Sequence, residues 1–129
     1  MAEKHVIRTD EAPGPFQGAP YNQAIRIADL VFVAGQLGIR LESGELAGPT
    51  VEEQTEQIMR NLGAVLEAAG SGLEKLVKTT VFLIDLGDFA GMNEVYARHV
   101  GAAPPARSTV EISGLPSGAL VEIEAIAHA

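Results

Sequence analysis

The chain has 129 residues, of which 47% are hydrophobic, and its 17 acidic and 9 basic residues give a formal net charge of −8 at pH 7. This length predicts one domain over residues 1–129, and the acidic balance argues against nucleic acid or a membrane surface as a partner. The absence of cysteine excludes disulfides, a thiol nucleophile and thiolate metal ligands.

The first part of the chain predicts short strands separated by loops. Residues 4–8 predict a strand, and three prolines within residues 9–20 exclude regular structure there. Residues 21–26 and 29–34 predict two further strands, the second almost continuously apolar and therefore central in a sheet. Gly35 then marks either a bulge or a point where another backbone or a ligand comes close to the chain. With no apolar signal region or membrane span in the sequence, we expect a cytoplasmic protein.

Two helices follow, with a strand between them. Thr50 and Glu53 have the spacing of a capping box, and apolar residues then recur at helical intervals as far as Gly70. Residues 77–84 are apolar on both parities, which predicts a strand buried on both sides. Asp88 is the expected cap of the second helix. Its apolar stripe contains Phe89, Met92, Val95, Tyr96 and Val100.

The last 25 residues predict two strands joined by a tight turn, a closing hairpin. Side chains alternate along a strand, so Val121 and Ile123 belong to an apolar face and Glu122 to the opposite one. If the two strands pair with their apolar faces together, Arg107 and Glu122 share a surface. On that surface the guanidinium could bind a carboxylate and the glutamate could orient a water. The alternative is a solvent-exposed ion pair that contributes about 0–1 kcal/mol to the stability of the fold.

The order of elements predicts an α+β domain with a mixed sheet and both helices on one face. The other face is then left for partner subunits, since two helices cannot cover both sides of so apolar a sheet. The three histidines, His5, His99 and His128, have no metal-ligand spacing, and no phosphate-binding loop or serine triad is present. Asn93 lies beside the apolar stripe, either exposed to solvent or lining a cleft.

Several segments together resemble the RidA/YjgF family of imine deaminases, formerly labelled endoribonuclease L-PSP. The resemblance lies in Val-Ala-Gly-Gln at residues 33–36, residues 78–89, Pro-Ala-Arg-Ser at 105–108, and the strand 121–127. It implies a chorismate-mutase-like fold and a homotrimer with a central barrel and ligand clefts between subunits. The implied activity is that of a 2-iminobutanoate/2-iminopropanoate deaminase, a hydrolase that converts reactive 2-imino acids, formed from enamines such as 2-aminoacrylate, to 2-keto acids and ammonia.

The resemblance also implies roles for individual residues. Arg107 would bind the carboxylate of the substrate, and Glu122 would position the attacking water. Tyr21 and Asn93 would line the cleft. The substrate would be a small carboxylate, and because imines hydrolyse unaided in water, no metal and no organic cofactor is expected.

Backbone groups around Gly35 and Thr109 would hold the imine nitrogen and the carboxylate. Ala34 departs from the family pattern, which often has serine there, and Thr109 stands where well-known members carry cysteine. Two alternatives stay open: a trimeric module that binds 2-keto or short-chain carboxylic acids without turnover, and a deaminase of a larger imino acid from a catabolic pathway. The family's older association with ribonuclease activity is disfavoured by the acidic charge.

Overall fold

Six strands form one mixed sheet in the computed structural model, which describes residues 2–129. Its order is β1-β2-β3-β6-β4-β5, and all neighbours are antiparallel except β4 and β5, which are parallel. The strands are β1 (Lys4–Ile7), β2 (Ala24–Ile27), β3 (Leu30–Leu37), β4 (Leu76–Leu83), β5 (Ala106–Glu111) and β6 (Val121–His128), and the helices are α1 (Val51–Ala68) and α2 (Phe89–Val100).

Helix α1 begins and ends as the sequence predicts. The Thr50 hydroxyl accepts a hydrogen bond from the Glu53 amide at 3.2 Å and donates one to the Glu53 carboxylate at 2.8 Å. This side-chain cap satisfies one of the free amides of the first turn, which is worth about 1 kcal/mol. Beyond the helix, Gly70 has φ +80, a conformation that glycine adopts without steric cost.

Both helices pack on one face of the sheet, as predicted. Val31, Val81 and Ile123 of the sheet are completely buried, in one apolar core with the buried side of α1 and with Met92 of α2. The alternation predicted for β6 is confirmed, since Val121, Ile123, Ala125 and Ala127 all lie in this core. Neither helix in the described part of the chain combines the length and hydropathy needed to cross a membrane.

Three sequence-based predictions about the strands are wrong. The closing hairpin does not form, because β4 lies between β5 and β6, and α2 returns the chain so that β5 runs parallel to β4. Residues 77–84 are not buried on both sides, since Val77 is 46% exposed. The strand expected from Tyr21 begins only at Ala24. A hydrophobic pattern indicates where a strand lies but not which strands pair with it, which explains why the hairpin was predicted wrongly.

The start of α2 also differs in detail from the prediction. Asp88 occupies the cap position but makes no side-chain cap hydrogen bond. Instead, the Asp85 carboxylate accepts a hydrogen bond from the Gly87 amide at 2.7 Å, within a short 3₁₀ turn that leads into the helix. The expected apolar stripe is buried except for Phe89, which is 42% exposed.

The second face of the sheet has no covering layer in the described chain. Val6, Phe32 and Val110 are exposed on it, together with the half-buried Phe82. The strand registers place all four side chains on the side opposite the helices. This surface is called the open face below.

Candidate active site

Arg107 and Glu122 lie on opposite faces of the sheet. Arg107 pairs with Thr79 on the helix side, whereas Glu122 pairs with Phe82 on the open face. The surface that the sequence predicted for this pair therefore does not exist within one chain. The prediction failed because it set the apolar side of β5 against the core, and the structure instead turns Val110 outward.

The Arg107 guanidinium lies against two aromatic rings of α2. Its central carbon is 4.9 Å from the ring centroid of Tyr96 and 5.4 Å from that of Phe89. Within residues 2–129, Arg107 makes no ion pair and no side-chain hydrogen bond. A guanidinium stacked on rings keeps its in-plane N–H groups free, and these groups match the two oxygens of a carboxylate.

A cavity of about 320 Å³ opens beside Arg107 and is called the Arg107 cavity. It is lined by Asn93, Tyr96, Ala97, Val100, Gly101, Pro104 and Arg107. Asn93 is half-buried and lines this cavity, and its Oδ1 is fully buried without a hydrogen-bond partner in the described chain. A role for Asn93 in binding stays a prediction. Thr109 faces the same way as Arg107 but lies outside the residues that line this cavity.

The second cavity, of about 410 Å³, is called the Glu122 cavity and contains three of the predicted residues: Tyr21, Gly35 and Glu122. Ala34 and mostly apolar side chains complete it, including Phe16, Leu37, Ile39 and Pro116. Burial raises the pKa of the Glu122 carboxyl above its ordinary value, and the charge of Glu124 adds to the effect. This carboxyl is therefore a better proton acceptor than an ordinary surface glutamate.

Gly35 creates the space that the Glu122 carboxyl occupies. A Cβ atom at this position would lie 2.7 Å from Cδ of Glu122 and 2.8 Å from its Oε1. The register of β3 against β6 shifts between Val33 and Gln36, so Gly35 is part of a bulge. The bulge expected at this glycine is confirmed. The group that approaches it is the Glu122 side chain of the neighbouring strand, and not the backbone or ligand that the sequence suggested.

Tyr21 is 41% exposed at the edge of the Glu122 cavity. Its hydroxyl oxygen accepts a hydrogen bond from the Phe16 amide at 2.6 Å. The hydroxyl proton is consequently left to be donated elsewhere.

Sequence reasoning missed the aromatic rings that contact Arg107. The helical spacing of Tyr96 and Phe89 predicts only that they belong to an apolar stripe. This spacing does not indicate whether the rings contact aliphatic side chains or a guanidinium. Sequence reasoning also missed Phe16 and Pro116, because the loops that carry them have no periodicity that indicates where they fold.

The comparisons with known proteins agree with this architecture. Residues 10–129 match the family model described as Endoribonuclease L-PSP. The chain is 45% identical over 125 residues to Reactive Intermediate Deaminase A, chloroplastic, of Arabidopsis thaliana, covering 97% of this chain and 66% of that protein. It is 40% identical over 124 residues to 2-iminobutanoate/2-iminopropanoate deaminase of Mus musculus, covering 96% and 90% of the two chains.

Among solved structures, RidA from an Antarctic Psychrobacter bacterium superposes with a TM-score of 0.92 at 40% identity. The match covers 97% of this chain and 99% of that one. With the family model spanning nearly the whole sequence and the fold reproduced from end to end, the chain belongs to the RidA/YjgF family.

Proposed function

We propose that this protein hydrolyses small 2-imino acids, of the 2-iminopropanoate and 2-iminobutanoate type, to 2-keto acids and ammonia. The observation that carries the proposal is that each of two cavities holds one charged side chain without an ionic partner in residues 2–129: a guanidinium in one and a carboxyl in the other. A 2-imino acid needs both groups, a cation for its carboxylate and a proton acceptor for the attacking water. The names of the plant and mouse relatives point to the same chemistry.

The complete site is assembled from two copies of the chain in a homotrimer. Arg107 and Glu122 face opposite ways, so one chain alone cannot place both beside the same small molecule. The open face exposes apolar side chains that a neighbouring copy would cover. A repeated contact between two different surfaces closes into a ring when each copy is rotated by a whole fraction of a turn, and three copies around a central barrel would satisfy this requirement.

In the proposed reaction Arg107 binds the substrate carboxylate through two parallel hydrogen bonds. Glu122 accepts a proton from water as the water oxygen bonds to C2 of the imine, and the proton passes to the nitrogen. Glu122 then accepts the hydroxyl proton of the resulting carbinolamine and returns a proton to the nitrogen, and the C2=O bond forms as the C–N bond breaks to release ammonia. A raised pKa suits a group that must accept and return a proton near neutral pH.

The direct test generates 2-iminopropanoate in situ with an amino-acid oxidase while semicarbazide competes for the imine. Wild-type protein should accelerate release of the 2-keto acid, and Arg107→Ala should lower kcat/KM by about 100-fold, because two charge-assisted hydrogen bonds are lost. Arg98→Ala, which removes a cation from an exposed i,i+4 pair on α2, is the matched control and should retain activity. Equal activity of wild type and Arg107→Ala would rule out the carboxylate-binding role.

A specific observation supports each of the two alternatives. Ala34 lines the Glu122 cavity and brings no hydroxyl to it, which favours a module that binds a 2-keto or short-chain carboxylic acid without turnover. In that case calorimetry would detect binding of 2-ketobutyrate by a protein that leaves the imine untouched. The cavity volume of about 410 Å³ and its apolar lining favour a larger imino acid, which would be hydrolysed with a higher kcat/KM than 2-iminopropanoate.

A further inference from the structure

We propose that Tyr96 is a positioning residue for Arg107, and that Thr79 holds Tyr96 in place. The inference rests on the proposed function, because it takes Arg107 as the group that binds the substrate carboxylate. Tyr96 itself would not touch the reacting atoms. It would act by fixing the guanidinium before the substrate arrives.

Thr79 and Arg107 are neighbours in the sheet, one on β4 and the other opposite it on β5. The Tyr96 hydroxyl lies 2.6 Å from the Thr79 hydroxyl, and both side chains are buried, at 4% and 0% exposure. The Tyr96 ring is thereby tied to the strand beside Arg107 and lies 4.9 Å from the guanidinium. The position of this ring is set by the sheet, and not only by the packing of α2.

The Tyr96 ring lowers the entropic cost of ordering Arg107 when a ligand binds. A free arginine side chain samples many rotamers, and ordering it on ligand binding costs free energy. A ring held against one face of the guanidinium restricts those rotamers while leaving the in-plane donors free. Because the Thr79 and Tyr96 hydroxyls bond to each other, neither needs the guanidinium as a partner.

Phe89 supports Arg107 less firmly. Its centroid is 5.4 Å from the guanidinium, the ring is 42% exposed, and phenylalanine has no hydroxyl that could tie it to the sheet. The Thr79 and Tyr96 pair is therefore the fixed part of the support, and Phe89 provides a matched comparison for the loss of a ring alone.

The kinetic test uses Tyr96→Leu and Tyr96→Phe with the imine as substrate. Tyr96→Leu should raise KM about tenfold, equivalent to about 1.4 kcal/mol, with a smaller change in kcat. Tyr96→Phe keeps the ring but removes its hydrogen bond to Thr79, so it should recover only part of that loss. Phe89→Leu should raise KM less than Tyr96→Leu does. In an Arg107→Ala background, Tyr96→Leu should raise KM no further, since a positioning residue acts only through the group it positions. An additive effect in the double variant would overturn the proposal.

A second readout requires no turnover. In ¹⁵N-labelled protein, the Arg107 Nε–H resonance should show a ring-current shift and restricted motion, and both should diminish in Tyr96→Leu and, by a smaller amount, in Thr79→Val. Ile58→Val, a buried substitution on α1, controls for general loss of stability and should leave this resonance unchanged. An unchanged resonance in folded Thr79→Val and Tyr96→Leu would refute the positioning role. If wild type failed to hydrolyse the imine while the resonance behaved as expected, only the proposed function would be lost.

Discussion

The Arg107 and Glu122 cavities control their charged groups in different ways. Arg107 is held by contacts, with Tyr96 and Phe89 against the guanidinium. Glu122 is controlled by its surroundings, since burial raises the pKa of its carboxyl and Gly35 leaves room for it beside the bulge of β3. Under the proposed function, the first arrangement would prepare a cation to bind an anion and the second would prepare a carboxyl to exchange protons. Each cavity would then provide the function that the other lacks.

The largest expected effects follow from inactivating each cavity in a different chain. Arg107→Ala and Glu122→Gln should each lose about 100-fold in kcat/KM when pure, because one removes the anion clamp and the other the proton acceptor. After joint unfolding and refolding of an equal mixture, about one quarter of the wild-type rate should return, since a site between two copies of a ring draws one residue from each.

The control for this experiment is the double variant, Arg107→Ala with Glu122→Gln in the same chain, refolded with an equal amount of wild type. This mixture contains the same average number of unsubstituted Arg107 and Glu122 residues. A site is active only when both of its chains are wild type, so about one quarter of the rate is again expected. The decisive sample is therefore the mixture of single variants. A mixture no more active than its components would mean that one chain provides both residues.

Gly35→Ala should damage the Glu122 cavity while sparing the Arg107 cavity. The added methyl would lie 2.7 Å from Cδ of Glu122, so the carboxyl must move away from its observed position. We expect kcat to fall about tenfold with little change in KM, because a displaced proton acceptor impairs the chemical step more than binding. Gly114→Ala is the matched control, because a Cβ there meets nothing within 4 Å. Normal kcat in Gly35→Ala would show that the position of the carboxyl is not important.

The smallest expected effect is on the pH dependence of stability. The pKa of Glu122 is raised in the folded chain, so its contribution to stability is fully present below the unfolded pKa and is lost as pH rises through the folded pKa. Glu122→Gln should therefore have a higher Tm than wild type at pH 7. This difference in Tm should shrink towards zero below pH 4, where the wild-type carboxyl is also uncharged. Glu124→Gln should show a weaker gain in the same direction, because the charge of Glu124 contributes to raising that pKa. Thermal unfolding followed by circular dichroism across pH 3.5–7.5 measures both, and a Glu122→Gln Tm below wild type at pH 7 would contradict the burial argument.

Local patterns predicted the elements well. The Thr50 and Glu53 capping box located the start of α1, and the alternation from Val121 onwards separated the two faces of β6. These signals succeed because a helix cap and a strand parity depend on residues close together in the chain. The resemblance of several segments to one family placed the chain correctly within it.

Local patterns do not predict which distant strands pair with one another. The parity of β5 was correct, with Arg107 and Val110 on opposite sides, but the side that meets the core was not. That choice depends on which strand β5 joins and on α2 lying over it. Nothing in the spacing of residues 105–127 indicates that β4 separates the two strands.

Local periodicity was thus sufficient to locate the helices and most of the strands and to separate the two sides of each strand, whereas the roles of the candidate residues came from the family resemblance. That Arg107 and Glu122 belong to separate cavities on opposite sides of the sheet follows only from the folded chain. Strand order sets which residues of distant segments become neighbours, and strand order is a property of the whole packed chain.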